Sequence, residues 1–204
     1  MNTIRKERKL EITAGISFFI ATLSYGIGNS IITESLNLGD FSSTSLGLGV
    51  LLELINSFAV IAIGLLLYAR LRSKNESVML GYAFSRLAEA LLLIVGSISV
   101  LFAPIIIGDN KAAMLIQSHE MFFSIGMLVL GIYSTFFCLY LFKTSNAPKL
   151  LMLIGAIGYI STIIYGVINI LSLSPSASMI LFATGAIFEI GFPIWLIAKG
   201  FDKC

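Results

Sequence analysis

Four ionisable side chains stand inside long apolar runs: Glu53, Arg86, Glu89 and Glu189. In a membrane helix such groups are costly, about 2.5–3.5 kcal/mol each for Arg or Asp near the bilayer centre. They need a partner or a task. Arg86 and Glu89 are three residues apart and share a helix face, and Tyr82, four before Arg86, lies on the same stripe. Glu53 and Asn56 have the same spacing, with Ser57 beside them. At the rise of an α-helix, Glu53 lies roughly 11 Å and Glu189 roughly 16 Å in from the outer ends of their runs. All four charges can therefore meet in one bundle. Three acids face one base, so either some of the carboxylates carry protons or a cation neutralises them. A pocket for a small molecule, proton or cation would use these groups. Intramembrane Arg–Glu pairs also simply hold helices together, and the residues alone leave both readings open.

Pro193 follows Glu189 by four residues. It removes the hydrogen bond that the Glu189 carbonyl would accept and so marks a candidate hinge beside a carboxylate. His119 and Glu120 stand at the outer rim of their run, where polar residues are tolerated. A zinc centre is disfavoured, because the single histidine cannot supply the usual two or three. No GxSxG motif and no CxxC spacing stand in the chain, so no catalytic residue, metal ligand or cofactor is readable. Cys138 and Cys204 read as packed thiols.

The elements that must position these groups follow from hydropathy. Of 204 residues, 57% are hydrophobic and 12% charged, with a net charge of +2. The mean hydropathy is +0.97. These values exclude a soluble domain, a disordered chain and a nucleic-acid binder. Six apolar runs are each long enough to span a bilayer, about 10–32, 46–69, 78–102, 118–142, 150–173 and 178–198. Such runs must be helical, because lipid leaves no partner for open backbone groups. Pro104, Pro148 and Pro175 fall in the gaps. The first run is too long for the apolar core of a signal peptide and ends in Thr33–Glu34, so it reads as an uncleaved helix.

Lys and Arg fix the orientation. Eleven of thirteen lie in Met1–Lys9, the 2–3 loop, the 4–5 loop and the C-terminal tail. Lys111 alone marks the other side, and Arg86 is inside a run. The positive-inside bias predicts both termini in the cytoplasm. Closely spaced glycines such as Gly26 and Gly28, Gly47 and Gly49, or Gly155 and Gly158 read as helix-packing positions. Glu53, Glu120 and Glu189 are each followed eleven residues later by glycine, as three related hairpins would be.

The run Leu51-Leu-Glu-Leu-Ile-Asn56, then Leu67-Tyr68, Gly81-Tyr82, Arg86 and Glu89-Ala90 stands out, as do Phe188-Glu-Ile, Trp195-Leu-Ile and Lys199-Gly-Phe201. Together they resemble the bacterial multi-span proteins grouped as the domain of unknown function 4386 family. The resemblance covers nearly the whole chain, most specifically helices 2–3 and the C-terminal motif. It implies a small bacterial integral membrane protein and no particular activity. Glu53, Asn56, Arg86, Glu89 and Glu189 fall on the family's polar pattern.

The expectation is an all-α polytopic membrane protein, one six-helix bundle over residues 1–204 in the bacterial inner membrane. The leading functional expectation is a small binding or transport unit, with its pocket at Glu53, Asn56, Tyr82, Arg86, Glu89 and Glu189. In it Arg86 orients an acid or holds an anionic group, while Glu53 and Glu189 take a proton or cation. The bilayer is the evident partner, and no motif sets an oligomeric state. A structural or regulatory membrane subunit would instead show a closed, fully paired and dry cluster. An intramembrane enzyme on a lipid-like substrate would need a lateral opening and a nucleophile or water beside Glu53 or Glu189.

Overall fold

The apolar runs form six α-helices in this computed structural model, which describes residues 2–38, 43–102, 109–172 and 178–202. They are α1 (Asn2–Leu38), α2 (Ser43–Leu71), α3 (Glu76–Val100), α4 (Asp109–Thr144), α5 (Lys149–Ile170) and α6 (Ser178–Ala198). No strand occurs among the described residues. Five helices are long and apolar enough to cross a membrane, and α6 has 21 residues with a shorter apolar stretch, Gly185–Ala198. Pro104, Pro175, Lys203 and Cys204 lie outside the described residues, as does the side chain of Lys111.

Two helices outrun the hydropathy boundaries. α1 begins at Asn2 rather than near Leu10, and α4 at Asp109 rather than Ser118. The added segments are rich in Lys, Arg, Glu, Ala, Met and Leu, which favour helix without being apolar throughout. With 37 and 36 residues these helices reach about 55 Å, well beyond a hydrocarbon core of about 30 Å. The start of α3 is set locally. Asn75 caps it, its side chain accepting from Val78 N at 3.1 Å, and Glu76 sits in the first turn.

Each helix packs on its neighbours in sequence, and α6 closes back on α1, so the bundle is a ring. The outside is apolar: Leu23, Phe58, Phe84, Phe136 and Leu150 are all exposed. Much of the inside is polar, with Glu11, Glu53, Arg70, Arg86, Glu89 and His119 buried. That inversion is stable only where lipid covers the outer surface. Glycine permits the close approaches. A side chain at Gly28 would meet the Gly49 carbonyl at 2.8 Å, and one at Gly155 would strike the Phe188 ring.

The half of the ring that bears the termini is filled by an aromatic stack. Tyr82 stacks on Phe137 at 4.2 Å, Phe188 on Phe192 at 5.0 Å, and Trp195 meets Phe201 edge-on at 5.0 Å. Below it a polar clamp joins both ends of the chain. Glu11 of α1 accepts from Arg70 Nε at 2.7 Å, from Arg8 Nη1 at 3.1 Å and from the Phe201 backbone N–H at 3.2 Å. Arg8 also donates to the carbonyls of Leu196 and Ile197 at the end of α6. Gly200 turns the chain there with φ +73°, and any side chain on it would strike the Glu11 carboxylate and Arg8.

Candidate functional site

Beyond the aromatic stack, in the half away from the termini, the ring encloses a cavity of about 240 Å³ lined by residues from all six helices. Arg86 stands in its wall, 3% exposed. One turn of α3 brings Tyr82 and Glu89 alongside it. Arg86 Nε donates to Tyr82 Oη at 3.0 Å, and Nη1 to Glu89 Oε2 at 3.2 Å. From across the ring, Tyr159 of α5 accepts from Arg86 Nη2 at 3.1 Å and donates to Glu189 Oε1 at 2.6 Å. Glu189 Oε1 lies 3.5 Å from the same Nη2. The Phe18 and Tyr82 rings face the guanidinium at 5.5 and 5.3 Å. Four of the five Arg86 N–H donors thus have partners within the protein, which leaves one Nη1–H for an incoming group.

The acceptors around the cavity are less committed. Glu189 Oε2 and Glu89 Oε1 make no hydrogen bond to a described residue. Neither does the side chain of Asn56, which is 4% exposed and lines the cavity. Most of the remaining wall is apolar or aromatic, including Tyr25, Phe123, Met127 and Leu130. The Glu189 side chain is 25% exposed, which locates the mouth. α1 and α6 touch on the side toward the termini, where Phe18 meets Phe192 at 5.7 Å and a side chain at Gly15 would meet Ile197. Farther along they part: Thr22 and Ala186 on the cavity wall are exposed, and Gly26 and Gly185 have nothing within 4 Å of where a side chain would begin. Among the described residues the opening therefore lies on the side of the ring, between α1 and α6.

The expected single cluster is divided in two. Arg86, Glu89, Glu189, Tyr82 and Asn56 gather at the cavity, but Glu53 does not line it. Glu53 Oε2 instead meets His119 Nε2 at 2.9 Å and accepts from Ser97 Oγ, while Oε1 is buried without a partner. His119, read as a rim residue, is in fact buried, because α4 leans its first turns onto α2 and α3. Glu120 next to it points the other way. It lines a separate pocket of about 230 Å³ between α4 and α5 with Gln117, Asn169 and Ser172. Glu53, Glu120 and Glu189 therefore sit in three different environments, which gives the idea of related hairpins no support. α6 runs unbroken through Pro193, whose carbonyl packs against Gly15.

Tyr159 was not singled out by spacing, nor were Tyr25, Ser97, Glu11 or Arg70. Tyr159 is one of seven tyrosines, and its reach to Arg86 depends on the ring closing. Among the described residues no group of three or more His, Cys, Asp or Glu side chains is placed to hold a metal ion.

Neither a curated protein nor a solved structure matches the chain. A family model does, over residues 13–200, and so over every residue of both polar clusters. With its apolar helices and near-complete match, the chain is a multi-pass integral membrane protein that belongs to the family described as Domain of unknown function (DUF4386).

Proposed function

We propose that the protein is a small-molecule binding or transport unit of the bacterial inner membrane, its termini cytoplasmic and its site the cavity at Arg86, Glu89 and Glu189. The observation that carries this reading is the combination of a cavity with buried, uncommitted polar atoms on its wall. A bundle that used these residues only to hold its helices together would close around them and pair them. The volume is just below the range of roughly 300–1,000 Å³ usual for ligand pockets. The aromatic stack seals the cavity from the terminal end, so a ligand in this conformation enters and leaves through the α1–α6 gap. An enzyme would need, besides that gap, a nucleophile or water beside Glu53 or Glu189; Ser97 Oγ donates to Glu53, which does not line the cavity. The groups bonded to Glu189 are Tyr159 and Arg86, both engaged.

Cysteine accessibility tests the reading. Met127→Cys, in a Cys204→Ser background, places a thiol on the cavity wall of α4. In native membranes a small uncharged thiosulfonate is expected to label it, while Cys138, which is fully buried off the cavity, stays unlabelled in the same chain. Equal silence of both thiols would refute an accessible pocket.

A further inference from the structure

We infer that the cavity takes an amphipathic organic cation, a primary or secondary amine on an apolar or aromatic body, admitted from the bilayer between α1 and α6. The inference rests on the binding reading above and adds the ligand's chemistry and route.

Charge points to a cation. Arg86 faces two carboxylates, Glu89 and Glu189, and among the described residues no other base lines the cavity. With both acids ionised the site carries one uncompensated negative charge in surroundings that solvate it poorly. The hydrogen-bond inventory points the same way. The uncommitted carboxylate atoms are Glu89 Oε1 and Glu189 Oε2, acceptors on two different helices, and the Asn56 amide beside them on a third offers an acceptor as well as donors. An ammonium group offers up to three N–H donors and no acceptor. An anion would find four of the five Arg86 N–H donors already taken by Tyr82, Glu89, Tyr159 and Glu189, and two carboxylates beside the fifth.

The rest of the wall selects against a bare ion. An alkali cation would leave the rings of Tyr25, Phe123 and Tyr159 and the side chains of Val60, Met127 and Leu130 without a role. Aromatic faces favour an ammonium beside them and an apolar body against them. Tyr25 is already stacked on Phe123 at 5.0 Å, which holds both rings across the middle of the ring of helices. The route follows from the exposed wall residues Thr22 and Ala186 and from the open space at Gly26 and Gly185. A lipophilic amine partitions into the bilayer with its head near the interface, so it meets a lateral mouth more often than an aqueous one.

The probe is phenethylamine, compared with 2-phenylethanol and 3-phenylpropanoate of similar shape. Binding to the purified full chain is measured by calorimetry, with the heat of protein-free micelles subtracted. The amine is expected to bind, the alcohol about tenfold more weakly, and the carboxylate more weakly still. Glu189→Gln should weaken the amine about tenfold and leave the alcohol unchanged. Thr22→Trp at the mouth should slow amine association, while Phe84→Trp on the lipid face of α3 should not. The inference is overturned if the carboxylate binds as well as the amine, if none of the three binds, or if sodium chloride alone gives the response. The wild-type comparison decides the ligand class even if a variant fails to fold. If Met127→Cys is labelled and the amine is not preferred, only the ligand class fails; if Met127→Cys is also silent, the binding reading falls with it.

Discussion

Replacing Arg86 by methionine is expected to cost about 3–5 kcal/mol of stability, the range for removing one member of a buried ion pair. The cause is what stays behind. Glu89 loses its Nη1 donor, Glu189 and Tyr159 lose Nη2, Tyr82 loses Nε, and two carboxylates remain in a wall that is otherwise largely apolar. Arg86→Lys should recover only part of the loss. A lysine presents its donors from one point, whereas the guanidinium fork reaches Tyr82, Glu89 and the Tyr159–Glu189 pair on opposite sides of the ring. Neutralising the acids together with the base, as Arg86→Met with Glu89→Gln and Glu189→Gln, should restore more stability than Arg86→Lys does. Unfolding in mixed micelles with increasing denaturing detergent measures all three. A triple variant as unstable as the single one would mean that Arg86 acts through packing on Phe18 and Tyr82, not through charge.

The second large effect is expected at the opposite end. Glu11→Ala removes the acceptor shared by Arg70, Arg8 and the Phe201 backbone N–H. The Arg70 side chain is 1% exposed and would keep Glu7 at 3.6 Å and the Asp202 carbonyl at 2.9 Å. The expected cost is about 2–4 kcal/mol, smaller than at Arg86 because these partners remain. Glu11→Gln keeps an acceptor and should lose about half as much. The chain carries one tryptophan, Trp195, packed against Phe201. Release of the C-terminal segment in Glu11→Ala should therefore shift the emission to the red, as burial of the indole is lost. A destabilised variant with unchanged emission would separate the clamp from the aromatic stack.

What the sequence could carry depended on distance along the chain. Hydropathy placed every span, and the three- and four-residue spacings joined Tyr82, Arg86 and Glu89 correctly, because those are relations within one helix. Glu189 could be named as an acid inside an apolar run before its partner was known. The helix ends were less legible: the polar first turns of α1 and α4 favour helix but carry no apolar signal. Partnerships across the ring were not legible. His119 lies 66 residues from Glu53, and at the margin of an apolar run it reads as an interface residue until α4 is packed on α2 and α3. Glu11 lies next to a basic tail and reads as a surface charge until the C-terminal Lys199-Gly-Phe201 turn closes over it. The lateral mouth depends on two helices parting, and only their packed halves leave a sequence trace, in Gly15 and the aromatic residues.

The account's central claim is that the ring encloses an accommodating cavity and not a tightly packed polar seam. Two alanines on α1 test it most directly. Ala21 lines the cavity, and Ala14 is fully buried in the packed core. Ala14→Leu should lose about 1–3 kcal/mol from overpacking. Ala21→Leu should unfold with wild-type stability or better, because its added carbons enter open space. Equal losses in the two variants would contradict the cavity, and with it the proposed site.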